Sequence, residues 1–212
     1  MKRTTRSVIA SILLISTLSL ASCSKETADS SSTVLGDSRA SETSETTIAP
    51  QDRTTTYSNI KGTYSGSSYI NNNSGLTIST PEGWTHLDDE ETAEYWGSTD
   101  NIRKPEDVLS FNEVAYESVW KASNGDNMSV MLMYAPGASE DDYGAVLSTD
   151  SFETIKLGNK DVAVTYSTYD VDGTEIQMAR IINYNNDTMT VITINCLTQE
   201  GIEEVMSKIS FN

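Results

Sequence analysis

The fold of this chain is decided by the stretch TEIQMARIINYNNDTMTVITINCL, residues 174–197. Apolar and polar residues alternate on both sides of its central turn, and a period of two is typical of β-strands. The turn at residues 185–187 is too short for a crossover connection, so the two flanking strands are expected to be antiparallel neighbours. We predict strands at 174–184 and 188–197. Their core-facing residues would be Ile176, Met178 and Ile182 on the first and Ile192, Ile194 and Cys196 on the second.

Two more strands and a helix extend this sheet along the chain. The same alternation predicts strands at 151–157 and 161–169, joined to their neighbours by Gly158-Asn159 and Asp172-Gly173. The core face of the second strand would carry Val162, Val164 and Tyr166. Thr198 is expected to cap a helix at 199–208, whose apolar stripe covers the sheet. The stripe consists of Ile202, Val205, Met206 and Ile209.

The first half of the folded region adds shorter elements. Strands are expected at 64–70, 76–80, 113–121 and 128–134. The last two flank Asn124-Gly125, a hairpin signal because both central residues of a type I′ turn need a positive φ. Asp88 and Ser139 are expected to cap two helices. Together these elements predict an α+β fold, in which an antiparallel sheet of about six to seven strands packs with helices.

This order of elements, together with Tyr69-Ile70-Asn71 and the segment GLTISTPEGW at residues 75–84, resembles the PsbP/Mog1-like α/β sandwich over roughly residues 63–212. Proteins of that family often open with a strand followed by Pro-x-Gly-Trp and close with a C-terminal helix. The family includes photosystem accessory proteins, a Ran-binding protein and many bacterial lipoproteins, and it is mostly non-catalytic. The resemblance therefore implies a non-catalytic binding or accessory module, and it assigns no binding residue. We expect no cofactor.

The N-terminus resembles the signal peptide of a bacterial lipoprotein. Lys2, Arg3 and Arg6 precede an uncharged, largely apolar run at residues 8–20, which ends in Leu20-Ala21-Ser22-Cys23. At about 13 residues the run is shorter than the roughly 20 needed to span a bilayer, so it indicates a signal peptide at 1–22. The resemblance implies cleavage between Ser22 and Cys23, a diacylglyceryl group on Cys23, and a location at the extracytoplasmic face of the cell membrane. An ordinary secretory signal with an incidental cysteine is the alternative.

A segment rich in Ser, Thr and Glu follows the motif Leu20-Ala21-Ser22-Cys23, which is called the lipobox in bacterial lipoproteins. Residues 23–61 contain no aromatic residue before Tyr57, and their apolar residues are isolated. Such a composition cannot bury enough surface to offset the conformational entropy of ordering, so we predict a disordered tether. A single globular domain is expected at 62–212.

The charge balance limits the classes of partner. The chain carries 14 Lys and Arg against 31 Asp and Glu, a net charge of −17. This balance argues against nucleic acid and against electrostatic docking onto anionic lipid, because both need clustered cations. It favours a soluble monomer. The expected contacts are therefore the membrane, through the lipid on Cys23, and an unknown protein or cell-envelope component.

Few residues suggest catalysis or metal binding. His86 is the only histidine, which excludes a multi-histidine metal site, and we interpret it as a surface or helix-cap residue rather than a base. Residues 118–121 match the Ser-x-x-Lys string of penicillin-binding enzymes, but they lie in a predicted strand without the companion motifs. Residues 170–175 contain calcium-loop elements but favour a hairpin turn. Cys196 is expected to be a buried free thiol. We therefore predict no catalytic residue and no metal site.

Three aromatic residues form our candidate contact surface: Trp84, Tyr95 and Trp96. Aromatic side chains dominate the energetics of protein interfaces, although the first interpretation of these three is as ordinary core residues. Two other functions remain open. An envelope hydrolase needs convergent carboxylates, or His86 within hydrogen-bonding distance of a serine. A small-solute-binding lipoprotein needs a pocket of a few hundred Å³ with convergent polar groups, about the size of known ligand sites.

Overall fold

The computed structural model describes residues 53–147, 149 and 151–212. The predicted signal peptide, the cleavage site at Ser22 and Cys23, and the tether as far as residue 52 lie outside these residues. Within the described part of the chain, no helix is long and apolar enough to span a bilayer.

Thirteen strands and three α-helices make up the described structure. In chain order they are β1 (Thr54–Thr56), β2 (Thr63–Ser65), β3 (Ser68–Asn71), β4 (Leu76–Ser79), β5 (Trp84–His86), α1 (Asp89–Trp96), β6 (Val108–Ser110), β7 (Val114–Ala122), β8 (Asn127–Tyr134), α2 (Tyr143–Leu147), β9 (Glu153–Leu157), β10 (Lys160–Val171), β11 (Thr174–Asn185), β12 (Thr188–Cys196), α3 (Gln199–Met206) and β13 (Ile209–Phe211). Short 3-10 helices occupy Tyr57–Asn59 and Glu140–Asp142.

The strands form one large sheet and two small ones. Seven strands pair in the order β5-β7-β8-β12-β11-β10-β9, and every pairing is antiparallel. A four-stranded sheet has the order β13-β4-β3-β2, and β1 pairs with β6. The predicted α+β fold with an antiparallel sheet of six to seven strands is confirmed. The four-stranded sheet was not predicted as a separate layer.

The main core lies between the seven-stranded sheet, the four-stranded sheet and α3. Residues of β7, β8 and β12 that alternate along each strand point into it, and we call this side the inner face. Its buried members include Trp120, Met128, Val130, Ile192, Ile194 and Cys196 from the large sheet, Tyr69, Leu76 and Ile78 from the small sheet, and Ile202, Val205 and Met206 from α3. The predicted apolar stripe of the C-terminal helix is therefore confirmed for Ile202, Val205 and Met206. Ile209 is buried but lies in β13, because the helix ends at Met206 rather than at residue 208.

The opposite side of the large sheet, the outer face, is covered in part by α1 and α2. A second cluster joins α2 to this face through Tyr143, Leu147, Ala163, Ile182 and Val191. At the other end, α1 packs on β7. Because helices cover only the two ends of this face, a strip of the sheet between them is only partly buried.

The predicted core residues of β10 and β11 need correction. Tyr166 is 42% exposed, because β10 extends beyond the cover of β9. Ile176 and Met178 are only partly buried, whereas Ala179 and Ile181 belong to the main core. The error arises because β11 is buried on both faces: the inner face carries Ala179 and Ile181, and the outer face carries Ile182.

Two local predictions also differ from the structure. In the β7–β8 hairpin only Gly125 has a positive φ, of 100°, so the turn is not type I′. Four residues separate these strands, and Asn124 accepts a hydrogen bond from the Asp126 amide at 3.1 Å instead.

The folded region also begins before residue 62. β1 and the following 3-10 helix lie within the predicted tether, and Tyr57 and Ile60 are buried because they pack into the main core.

Candidate functional site

The structure divides the three aromatic residues of the predicted contact surface between the two faces of the large sheet. Trp84 pairs with Ala122 on the inner face and packs against the main core. Tyr95 and Trp96 lie on the outer face, where α1 holds them against β7. All three side chains are partly buried. Tyr95 and Trp96 therefore contribute to one surface, and Trp84 does not share it.

Helix α1 fixes Tyr95 and Trp96 through its two ends. Asp88 and Glu91 form a capping box at its start, and Gly97 ends it in the left-handed conformation at φ 66°. The Trp96 ring stacks on Tyr116 with centroids 4.1 Å apart and an interplanar angle of 10°. The ammonium of Lys121 lies 5.1 Å from the Tyr95 ring centroid.

Two rows of side chains cross the outer face between α1 and α2, and we name them together the polar band. The strand register places Asn127, Asn195, Met178 and Ser167 in the first row and Ser129, Thr193, Arg180 and Thr165 in the second. Seven of these eight side chains can donate hydrogen bonds, and six can also accept them. The next row, which includes Val191 and Ile182, is apolar and covered by α2.

Hydrogen bonds hold the first row in place. The Tyr95 hydroxyl donates to Asn127 Oδ1 at 2.8 Å, and Asn195 Nδ2 donates to the same oxygen at 2.9 Å. The Tyr169 hydroxyl donates to Asn195 Oδ1 at 3.2 Å. Burial raises the pKa of Tyr95 to about 12, so this hydroxyl keeps its proton and acts as a donor at neutral pH. The two amide groups are thus oriented before any ligand arrives.

The polar band leads into a cleft of about 410 Å³, which we name the β10 cleft. Its lining includes Thr165, Ser167 and Arg180 of the band together with Phe152 and Glu153. The guanidinium of Arg180 donates to the carbonyl oxygens of Val146 and Leu147 at 3.3 and 3.4 Å, which satisfies the last turn of α2. Burial lowers the pKa of Arg180. Because a guanidinium has five N–H donors, Arg180 has further capacity for a ligand in the cleft.

The residues examined for hydrolase chemistry do not converge. His86 lies in β5 rather than at a helix cap, and its ring is 3.9 Å from that of Tyr64. The hydroxyl of Ser118 accepts a hydrogen bond from Tyr64 at 2.9 Å, and no described serine hydrogen-bonds to His86. Burial lowers the pKa of His86, which favours its neutral form. Ser118 and Lys121 point to opposite faces of β7, so the Ser-x-x-Lys string does not form a site.

The sequence analysis missed a buried carboxylate at Glu117. The β7–β8 register shifts between Tyr116 and Ser118, which leaves Glu117 as the extra residue of a β-bulge. Its carboxylate accepts hydrogen bonds from the Gly62 amide at 2.8 Å, from the Tyr69 hydroxyl at 3.1 Å and from the Tyr57 hydroxyl. We call these four residues the Glu117 cluster. Burial raises the pKa of Glu117, although the three hydrogen bonds oppose that shift.

The remaining candidates have structural roles. Cys196 is a buried free thiol, as predicted, and its burial together with nearby Asp126 raises its pKa to about 12. Asp172 and Gly173 form the predicted hairpin turn, with φ angles of 52° and 82°. The Gly173 amide donates to Asp170 at 2.9 Å. Within residues 53–147, 149 and 151–212, no three His, Cys, Asp or Glu side chains group at metal-binding distance.

Comparisons with known proteins yield two solved structures of low similarity. No protein-family model matches the chain, and no curated protein matches it. A crystal structure from Bacteroides thetaiotaomicron VPI-5482 is 12% identical with a TM-score of 0.43, covering 65% of this chain and 45% of that one. The solution structure of cyanobacterial PsbP (CyanoP) from Synechocystis sp. PCC 6803 is 13% identical with a TM-score of 0.34, covering 71% of this chain and 98% of that one. The chain thus spans less than half of the Bacteroides protein, and at these TM-scores we base no conclusion on either likeness.

Proposed function

We propose that this protein is a membrane-anchored, extracytoplasmic binding module that acts without catalysis. The lipobox residues 20–23 support the anchor, because they end an apolar run of signal-peptide length. The polar band supports the binding role. A kinship with the PsbP/Mog1-like proteins would agree with such an accessory role, and it remains part of the proposal.

The observation that carries the binding role is the pre-organised polar band, of which Ser129 and Asn195 are buried and the other six side chains are partly or fully exposed. Elsewhere on the outer face, α1 and α2 cover the sheet with apolar contacts. In the band, by contrast, amide, hydroxyl and guanidinium groups line a surface bordered by Tyr95 and Trp96. Groups that are already oriented lose little conformational entropy on binding, so this arrangement favours recognition of a polar partner. The band itself contains no carboxylate, histidine or thiol, so it offers neither a general base nor a strong nucleophile.

Site-specific photocrosslinking in the native envelope tests the binding role. A benzophenone amino acid at Thr193, in the centre of the polar band, should yield a discrete crosslinked product. Arg180→Gln should reduce the yield of that product, because it removes the only cation of the band. The same benzophenone at Ser79, an exposed residue on the small sheet, serves as the control. Identical products from Thr193 and Ser79 would contradict a specific binding surface on the outer face.

A second candidate function is the binding of a small anionic solute. It is favoured by the β10 cleft, where Arg180, Thr165 and Ser167 converge on a volume comparable with known ligand pockets. The chain isolated gently from its own envelope should then carry an additional mass in native mass spectrometry. Arg180→Gln should lose this mass, whereas the control Lys121→Gln should keep it. Retention of the mass by Arg180→Gln would rule out the guanidinium as the anchoring group.

A further inference from the structure

Strand β10 has 12 residues, whereas β9, its neighbour at the end of the large sheet, has five. β9 pairs with residues 160–164 of β10, whereas the pairing of β10 with β11 continues to Val171. Residues 165–171 therefore have a sheet partner on one side only, as far as the described residues show. At about 3.3 Å per residue, this open edge is roughly 23 Å long.

The hairpin turn determines which backbone groups the open edge presents. Asp172 and Gly173 both have positive φ angles, so they form a two-residue type I′ turn. In such a hairpin the flanking pair, Val171 and Thr174, exchanges both hydrogen bonds, and hydrogen-bonded pairs then alternate along the strands. Val171, Tyr169 and Ser167 therefore direct their N–H and C=O groups to β11. The residues between them, Tyr166, Thr168 and Asp170, direct theirs to the open edge.

These outward-facing groups have no backbone partner and little protection. None of the three residues takes part in a backbone hydrogen bond with a residue outside its own hairpin, within the part of the chain that the structure describes. Natural edge strands are usually protected by lysine, proline or a bulge. The edge sequence TYSTYDV, residues 165–171, contains neither lysine nor proline, and its register with β11 is continuous.

The surroundings of the open edge suit the side chains of an added strand. The β10 cleft opens beside it, and two large hydrophobic side chains lie exposed there: Phe152 at 39% and Tyr166 at 42%. Tyr166 is on the inner side, where its hydroxyl contacts Met206 Sδ at 3.8 Å. Phe152 lies towards α2, 6.3 Å from the Tyr143 ring. An added strand, whose side chains alternate between faces, would contact one aromatic residue on each face.

The charges beside the open edge indicate the kind of strand. Glu153 and Glu203 are close enough to Tyr166 for their negative charges to raise its pKa, in addition to burial. Asp170 lies on the same edge, and the whole chain has a net charge of −17. A second copy of this chain would be repelled, whereas a segment carrying lysine or arginine would be attracted on the inner side of the edge. Arg180, the cation that lines the β10 cleft, lies on the outer side and donates to the carbonyl oxygens of Val146 and Leu147.

We propose that the open edge of β10 binds an extended basic segment of another protein by β-strand addition. The inference rests on the proposed binding function and names the class of partner. Backbone hydrogen bonds to Tyr166, Thr168 and Asp170 supply affinity, and the contacts with Phe152, Tyr166 and the neighbouring carboxylates supply selectivity.

Fluorescence anisotropy with a labelled peptide, Lys-Val-Lys-Val-Lys-Val-Lys, tests this proposal on the full chain in detergent. The peptide should bind the wild-type chain. Thr168→Pro should weaken binding about tenfold or more, because it removes an outward N–H and places a ring in the path of the peptide. Thr168→Ala is the matched control and should bind like the wild type, because it keeps the amide. The N–H of residue 168 makes no bond to β11, so Thr168→Pro should still fold, which circular dichroism checks.

A second arm uses modified peptides and does not depend on the folding of any variant. In an added strand, only every second amide of the peptide faces β10. N-methylation of that set should abolish binding, whereas N-methylation of the other set should leave binding intact. Absence of wild-type binding, equal binding by Thr168→Pro, or indifference to N-methylation would overturn the proposal. So would a dimer that Thr168→Pro dissociates in sedimentation, because the edge would then belong to a second copy. If the Thr193 crosslink persists while peptide binding fails, only strand addition is lost and the binding function stands.

Discussion

Glu117 illustrates how a single extra residue in a strand can place a carboxylate where alternation would not. The bulge at Glu117 turns its side chain towards Gly62, Tyr57 and Tyr69, which belong to the segment before β2 and to β3. A methyl group at Gly62 would overlap the Tyr69 ring, so glycine is required there for this close approach. The carboxylate thereby joins β7 to residues 57–69, which lie 48 to 60 positions earlier in the chain.

The Glu117 cluster should make the free energy of unfolding depend on pH. Burial raises the pKa of Glu117 above its ordinary value of 4.5, so the folded state retains a proton that the unfolded state releases. The contribution of Glu117 to stability is therefore full below the ordinary value and is lost as the pH rises through the raised one. Urea unfolding at a series of pH values should show that the stability of the wild type relative to Glu117→Gln declines over this window.

Two further variants separate charge from hydrogen bonding in this cluster. Glu117→Ala leaves the Tyr57, Tyr69 and Gly62 donors without an acceptor, so we expect a loss of about 1–3 kcal/mol below the ordinary pKa of Glu117 and a smaller loss above the raised pKa. Glu82→Gln, in an exposed turn, should give a pH profile parallel to that of the wild type. A Glu117→Gln profile that is also parallel to the wild type would contradict the role of burial at this site.

At the scale of elements, β13 links the two larger sheets. It pairs with β4 in the small sheet, and Phe211 forms an isolated parallel bridge with Gly158 beside β9. Gly158 has a φ of 68°, and a methyl group there would lie 2.6 Å from the Phe211 carbonyl oxygen. The Asn159 amide also donates to this oxygen at 2.8 Å. The close backbone approach therefore depends on glycine at this position.

Paired alanine substitutions should separate backbone strain from this close approach. Gly173→Ala meets nothing within 4 Å at a φ of 82°, so it should cost only the left-handed strain of about 1 kcal/mol. Gly158→Ala should cost about 1–3 kcal/mol more, because β13 must move away. Urea unfolding of the two variants gives the comparison. Equal losses would mean that the β13 contact contributes no measurable stability.

The sequence predicts long elements better than short ones. Strands β7 to β12, which are mostly eight residues or longer, lie close to their predicted bounds, and the predicted caps of α1 and α3 are present. Strands β1, β6 and β13 have three residues each, too few to show a period, and only their pairing partners define them. The folded start at Thr54 was missed for the same reason, because Tyr57 and Ile60 are isolated apolar residues in a polar segment.

The candidate site could be predicted only in part. Tyr95 was expected at a surface. Asn127, Asn195 and Arg180 are polar residues on strands, and in the sequence they cannot be distinguished from an ordinary solvent-facing side of a sheet. Their assembly into one band depends on the register of four strands, and sequence spacing does not determine which residues lie opposite each other across β8, β12, β11 and β10. The uneven lengths of β9 and β10, which create the open edge, are equally hidden in the sequence.

For the whole molecule, the proposed anchor would set where the proposed binding face is presented. A diacylated Cys23 would hold the chain stably on a membrane, because two acyl chains bind far more strongly than one. Cys23→Ser should release the chain into the soluble fraction or leave its signal uncleaved, with no mass increase from a diacylglyceryl group. Cys196→Ser removes the buried thiol instead and should leave fractionation unchanged. Normal cleavage and membrane retention of Cys23→Ser would contradict the anchor.

The position of β1 has a mechanical consequence for a protein held at its N-terminus. A force transmitted from the membrane would first load the three-residue pairing of β1 with β6, and then the hydrogen bonds that Tyr57 and Gly62 make to Glu117. The first connection lies outside the seven-stranded sheet, and the second ends on the side chain of Glu117 without involving the backbone pairing of that sheet. Peeling of residues 54–61 would release a segment with a contour length of about 26 Å while that sheet stayed intact. The segment would thus lengthen under load before the sheet that carries the polar band begins to unfold.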